Sequence, residues 1–193
     1  NSGYYYIVLK QTGYDIIIET KIISNTTEAG IAFCENDKFD DTPPSSYPAK
    51  LTRVLYERFS HFNGNSDSTV YILPVELIDN NADELKKCVD KYIELWNLPE
   101  EFKKWNDENN FYCNTLVDRI VTGYPKDEAE TIWEEFGYED RMLVTGEPFA
   151  LWVIESEKDI SAEWPMDKAL EGKEGMNVIF TDNQKPYKQR KAM

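Results

Sequence analysis

Between residues 48 and 96 the chain reads helix, strand, helix, and that order restricts the fold more than any other feature. Leu51, Val54, Leu55, Phe59 and Phe62 fall on one face at helical spacing, which predicts a helix over 48–62. A polar loop, NGNSDS (63–68), leads into TVYILPV (69–75), whose β-branched and aromatic content predicts a strand. Leu85, Cys88, Val89, Tyr92 and Trp96 then repeat at i, i+3, i+4, i+7 and i+11, which predicts a second helix over 82–96. Further strand-type runs stand at 4–9, 16–23, 149–155 and 177–181. Strands alternating with amphipathic helices predict an α/β fold: a Rossmann-like, mainly parallel sheet with flanking helices.

The punctuation supports this order. Residues 34–48 are polar and proline-rich and read as loop. Pro99 suits a helix first turn, with Glu100 and Glu101 beside its positive end. Asp127 opens a short helix that Gly137 ends, and Pro186 starts a last one as the chain finishes. SNTTEAG (24–30) and PVELIDNN (74–81) follow strands, where open α/β sheets bind ligands. Each also reads as a helix cap: Thr26 or Thr27 as N-cap with Glu28 in the first turn, and Asn81 as N-cap with Glu84 closing a capping box.

Charge narrows the partners. Lysine plus arginine is 21 against 36 aspartate plus glutamate, a net −15, which argues against nucleic acid or an anionic membrane. A small anionic substrate needs only a local cluster of positive charge. Lys185, Lys188, Arg190 and Lys191 form the densest one. It reads as a solvated helix face, as a hold for an anion, or as the setting of a lysine general base whose cationic neighbours lower its pKa. Cys34, Cys88 and Cys113 are far apart, and His61 is the single histidine, so neither a disulfide scaffold nor a zinc site is expected. That cysteine usage fits a reducing, cytoplasmic setting; the first residues do not read as a signal peptide, and no run has the length of a transmembrane helix. Neither GxGxxG nor GxxxxGK[ST] occurs in the 193 residues. Asp118-Arg119 interrupts an apolar run, Leu116 to Val121. If the run is buried, the pair is either a structural ion pair or a carboxylate that binds substrate hydroxyls with an arginine fixing it.

FYCNTLVDRIVTGYPKDEAE, GEPFALWVIE, ISNTTEAGIAF, FDDTPPSSYPAKLT and KPYKQRK together resemble the long-chain, metal-independent mannitol dehydrogenase family. NTLVDRI matches the family's N-S-M-V-D-R-I type motif, and its extension through GYPKDEAE, with SNTTEAGI, is similar to the tagaturonate reductase branch. The resemblance runs from about Ser24 to Lys191. It implies a Rossmann-like NAD-binding domain over 1–185 and, from 186 to 193, the start of a helical substrate domain. It also implies hydride transfer between NADH and D-tagaturonate, giving D-altronate, without a metal.

Lys191 occupies the position of the family's acid/base lysine, which opens a K-x-x-x-x-N-x-x-H motif; Ala192 and Met193 follow, and the Asn and His are not in this chain. Asp118, Arg119 and Asn114 are implied at the substrate, and Asn25, Thr26, Thr27, Glu76 and Asn81 at the cofactor. The glycine-rich pyrophosphate segment is missing, with a junction expected near Gly13–Asp15, so the chain reads as part of a longer protein. Leu77 stands where the family has a substrate-side Asn, so that role does not carry over. A fructuronate reductase, a mannitol or mannitol-phosphate dehydrogenase, and a non-catalytic fragment are the alternatives.

Overall fold

A computed structural model describes residues 6–9, 20–27, 29–162 and 164–188. Strand β1 (Tyr6–Leu9) pairs antiparallel with β2 (Thr20–Ser24). Residues 4–5 and 16–19 of the expected strands lie outside the described residues. Helix α1 (Tyr47–His61) starts at Ser46, whose side chain accepts from Ala49 N, with Pro48 in the first turn. Then come β3 (Val70–Pro74), α2 (Asn81–Leu95), α3 (Glu100–Asn109), β4 (Asn110–Tyr112) and β5 (Asn114–Asp118). A small excursion follows: β6 (Val121–Gly123), α4 (Ala129–Phe136) and β7 (Thr145–Gly146). Gly137 ends α4 at φ 74°, donating to Trp133 O. Strand β8 (Ala150–Glu155), α5 (Met166–Ala169), β9 (Met176–Thr181) and α6 (Lys185–Lys188) complete the order.

The expected parallel pairing is found in β2-β3-β4 and in β8-β9. Antiparallel pairing enters at β1–β2, β5–β8 and the β6–β7 hairpin. Only Cys113 separates β4 from β5, and its N–H donates to Ile72 O at 2.9 Å. Residues 110–118 therefore run alongside β3 first and β8 afterwards, joining the two sheets. The chain returns from β5 to β8 through the excursion, and an antiparallel return needs no helical crossover.

All five residues of β3 are buried, which explains the unbroken apolar run. Alternation divides them between two cores. Val70 and Ile72 pack with Ile22 against α1, α2 and α3, through Leu51, Leu55, Leu85, Val89, Ile93, Phe102 and Trp105. Tyr71 and Leu73 pack on the other face with Cys113, Ile154 and Ile160. Of the helix faces read from the spacing, Leu51, Leu55, Leu85, Cys88, Val89 and Tyr92 are buried, Phe59, Phe62 and Trp96 are half-buried, and Val54 is exposed.

The proline-rich loop before α1 is tied to α2 by one buried carboxylate. Asp37 accepts from Ser45 N (2.7 Å), Ser45 Oγ (2.6 Å), Ser46 N (3.2 Å) and Tyr92 Oη (2.9 Å). Burial pushes the Asp37 carboxyl up, but the hydrogen bonds from Ser45, Ser46 and Tyr92 outweigh it and hold the group well below the usual carboxylate range. Burial pushes the Tyr92 hydroxyl up to about 12, so it stays a donor at neutral pH. A depressed folded-state pKa adds stability that is complete above the unfolded carboxyl value and fades as the pH falls below it. Asp37→Asn, which turns an NH2 group toward donors, is expected to cost about 2 kcal/mol at neutral pH and much less near pH 3. Urea denaturation at the two pH values checks this; an equal cost at both contradicts it.

Candidate functional site

The loops that leave β2 and β3 emerge side by side at the carboxyl ends of neighbouring parallel strands, and Val75 N donates to Ser24 O at 2.8 Å. Glu76, 3% exposed, fastens one loop to the other. Its carboxylate accepts from Ser24 Oγ (3.1 Å), Thr26 N (3.0 Å) and Thr26 Oγ1 (2.9 Å). Gly30 N donates to Thr27 O at 2.8 Å, folding the loop back on itself. A Cβ on Gly30 would stand 1.7 Å from Thr26 Oγ1, so only glycine permits that approach. Asn25 and Thr27 remain exposed. Among the described residues no helix begins here, which corrects the N-cap expectation for Thr26 and Thr27: Thr26 donates its N–H and hydroxyl to a distant carboxylate instead. Glu28 lies outside the described residues.

Asn81 is fully buried at the first turn of α2. Its Nδ2 donates to Pro74 O (2.9 Å), Glu76 O (3.0 Å) and Thr115 O (3.1 Å), and its Oδ1 accepts from Thr115 N (2.9 Å). The N-cap position belongs to Asn80, which has φ 52° and no side-chain cap bond. Asn114 Oδ1, from β5, accepts from Ala82 N (2.9 Å) and Asp83 N (3.2 Å), and Asn81 Oδ1 shares the Ala82 N–H at 3.0 Å. Glu84 pairs with Lys87 at 2.7 Å rather than closing a capping box. Asn81 and Asn114, expected to face cofactor or substrate, have side-chain groups engaged by protein partners, as has Glu76, which also lines a cleft.

At the edge of this layer Glu76, Leu77, Asp79, Leu116, Val117 and Lys188 are among the residues that line a cleft of about 390 Å³. Lys188, from α6, donates to Asn80 Oδ1 (3.1 Å) and pairs with Asp79 (3.2 Å). A larger hollow of about 520 Å³ lies between the ends of β8 and β9 and residues 156–167. Glu157, Asp159, Asp167 and Asp182 line it, a surplus of negative charge that disfavours an anion.

The run around Asp118-Arg119 is not buried, which corrects the premise of a buried ion pair. Asp118 is the last residue of β5 and half-buried, Arg119 is exposed, and Ile120 and Val121 are 61% and 57% exposed. Among the described residues neither charged side chain has an ion-pair or hydrogen-bond partner. Asp118 lies one residue beyond the cleft lining at Val117. The charges are tolerated because water reaches them. Lys191 lies outside the described residues. The linking role of Ser24 left no local mark in the sequence, since it depends on Glu76, 52 positions away.

Residues 10–168 match the family described as the mannitol dehydrogenase Rossmann domain. The chain belongs to that family. It is 53% identical over 171 residues to altronate oxidoreductases of Escherichia coli O7:K1 (strain IAI39 / ExPEC) and Shigella sonnei (strain Ss046), matching 89% of this chain and 34% of each relative. The chain therefore spans about a third of the length of these curated relatives. Two solved structures share the Rossmann-like fold at 19% identity. A substrate-free D-sorbitol dehydrogenase superposes with a TM-score of 0.63 over 86% of this chain and 34% of its own. A Pseudomonas fluorescens mannitol 2-dehydrogenase, in ternary complex with NAD and D-mannitol, gives 0.62 over 90% and 35%.

Proposed function

We propose that the protein, at the length of its relatives, is an NAD-dependent oxidoreductase that interconverts D-tagaturonate and D-altronate. The observation that carries this reading is the pair of loops at the carboxyl ends of β2 and β3, fastened by Glu76, in a chain 53% identical to altronate oxidoreductases. Ligands of doubly wound sheets bind at that edge. The donor set fits the nicotinamide half of NAD: the fastened loop leaves the exposed amide of Asn25 and hydroxyl of Thr27 as partners for a carboxamide and a ribose. Bound there, NAD supplies the hydride acceptor and, reduced, the hydride donor.

The chain's own residues handle the rest. Lys191 gives a proton to the nascent alkoxide in reduction and takes it in oxidation, with a cationic ammonium stabilising the developing charge and no metal needed. Asp118, at the end of β5 one residue beyond the cleft, orients substrate hydroxyls. The helical domain that begins near residue 186 closes over the sugar acid. The unpaired cysteines suit a reducing, cytoplasmic setting, and no helix among the described residues is long and apolar enough to cross a membrane.

The test is loss of NADH absorbance in full-length protein of known intact mass, offered D-tagaturonate, D-fructuronate and D-fructose. Preference for D-tagaturonate is the expected result. Preference for another ketose moves the substrate to a sister branch, and no turnover with any of them overturns the enzymatic reading.

A further inference from the structure

We propose that Lys188 is the specificity-determining residue that binds the carboxylate of the sugar acid, and that Asp79 is an internal counter-ion which the substrate displaces. The proposal rests on the function given above, and it names the group that separates a uronate from a neutral ketose at the same site.

Lys188 is the one cation among the described residues lining the cleft. An ammonium has three N–H donors, and two of them have partners among the described residues, Asn80 Oδ1 and Asp79 Oδ1. The two partners differ in kind. Asn80 is held in place by the left-handed backbone at the start of α2 and offers a neutral oxygen. Asp79 is a rim carboxylate, its side chain 90% exposed, against 31% for Lys188. An ion pair with so exposed a partner is weak and salt-sensitive, so a ligand carboxylate that also gains the cleft walls replaces it at small cost.

Those walls favour the exchange. Leu77, Leu116 and Val117 are apolar and lower the local dielectric, which strengthens a charge–charge contact once water leaves. Glu76 also lines the cleft and keeps its negative charge, but both its oxygens are held by the donors of Ser24 and Thr26, so it does not compete with a ligand for Lys188. In a chain of net charge −15 an anionic substrate is repelled everywhere except beside a local cation. Lys188 provides that cation between the loop that leaves β3 and strand β5. A neutral ketose has no use for it, and leaves the Lys188–Asp79 pair intact.

The experiment uses full-length protein, Lys188→Gln, Lys188→Glu and Asp79→Asn, with D-tagaturonate and its neutral counterpart D-tagatose. Calorimetric binding of D-altronate without cofactor is measured alongside. Lys188→Gln is expected to lower the acid-to-neutral ratio of kcat/KM at least about tenfold, through KM for the acid, and Lys188→Glu to lower it further. Asp79→Asn is expected to lower KM for the acid severalfold, because the competing anion is gone. An unchanged ratio in Lys188→Gln, or an equal loss on both substrates, overturns the carboxylate role while the proposed reaction stands. Wild-type protein that binds D-altronate through Lys188 yet oxidises no NADH supports the carboxylate site and overturns the reaction. Wild-type protein that neither binds nor reduces the acid overturns both.

Discussion

Lys191→Ala, made in the full-length protein, is expected to lower kcat about a thousandfold for NADH-dependent reduction of D-tagaturonate, within the usual range for losing a positioned general acid. Hydride arriving at the carbonyl carbon leaves an alkoxide that needs a proton in the same step. Without the lysine, water must supply that proton, and the charge that stabilised the oxygen is lost with it. Lys185, Lys188 and Arg190 stand within six positions of Lys191. Neighbouring cations lower a lysine's pKa and bring it toward the working pH. The limb of the pH–rate profile that reports this group should disappear in the variant, and an added primary amine should restore part of the rate. Steady-state kinetics across pH tests all three expectations. A variant that keeps most of its turnover would place the acid/base elsewhere.

Glu76→Ala is expected to reduce stability by about 3 kcal/mol and to raise KM for NADH about tenfold. Its carboxylate is the shared acceptor for Ser24 Oγ, Thr26 N and Thr26 Oγ1. Removing it strands three donors, and water can reach them only if the loop lifts away from β3. Asn25 and Thr27 would then lose the geometry that suits a ribose and carboxamide. Because Glu76 is buried and its carboxylate holds the loop through Thr26, it acts as a positioning residue. Glu76→Gln should recover part of both losses, since one amide oxygen still accepts while the amide nitrogen faces donors. Urea denaturation and KM for NADH, measured on the same samples, are the check. A destabilised variant with an unchanged KM would show that the loop does not serve the cofactor.

The stretches that could be read from the sequence are those whose physics is local. The spacing of Leu85, Cys88, Val89 and Tyr92 marks the buried face of α2 because a helix returns to the same side every three or four residues. VYILP marks β3 because a strand buried on both faces has no polar position to show. The placement of SNTTEAG and VELIDNN at the carboxyl ends of strands followed from the same element order. The branch resemblance, carried by several ordered motifs, pointed to the family that residues 10–168 match.

What failed to show in the sequence depends on partners far along the chain. Asn81 reads as a helix cap by every local rule, yet its amide joins β3 to β5 by bonding Pro74, Glu76 and Thr115. An acceptor for the first turn of the same helix is Asn114, 32 positions from Ala82. The Asp118-Arg119 run looks buried from its hydrophobicity, but it leaves the sheet at the end of β5 and stands in water. Composition and periodicity marked α1, β3, α2, β8 and β9, because those preferences are set within a few residues, but they did not mark the strands β4 and β5. Which side chain fastens the site, which one lines the cleft and which charge is free to meet a ligand were decided only when packing brought distant segments within hydrogen-bonding distance. A buried polar group takes whatever partner the fold places beside it.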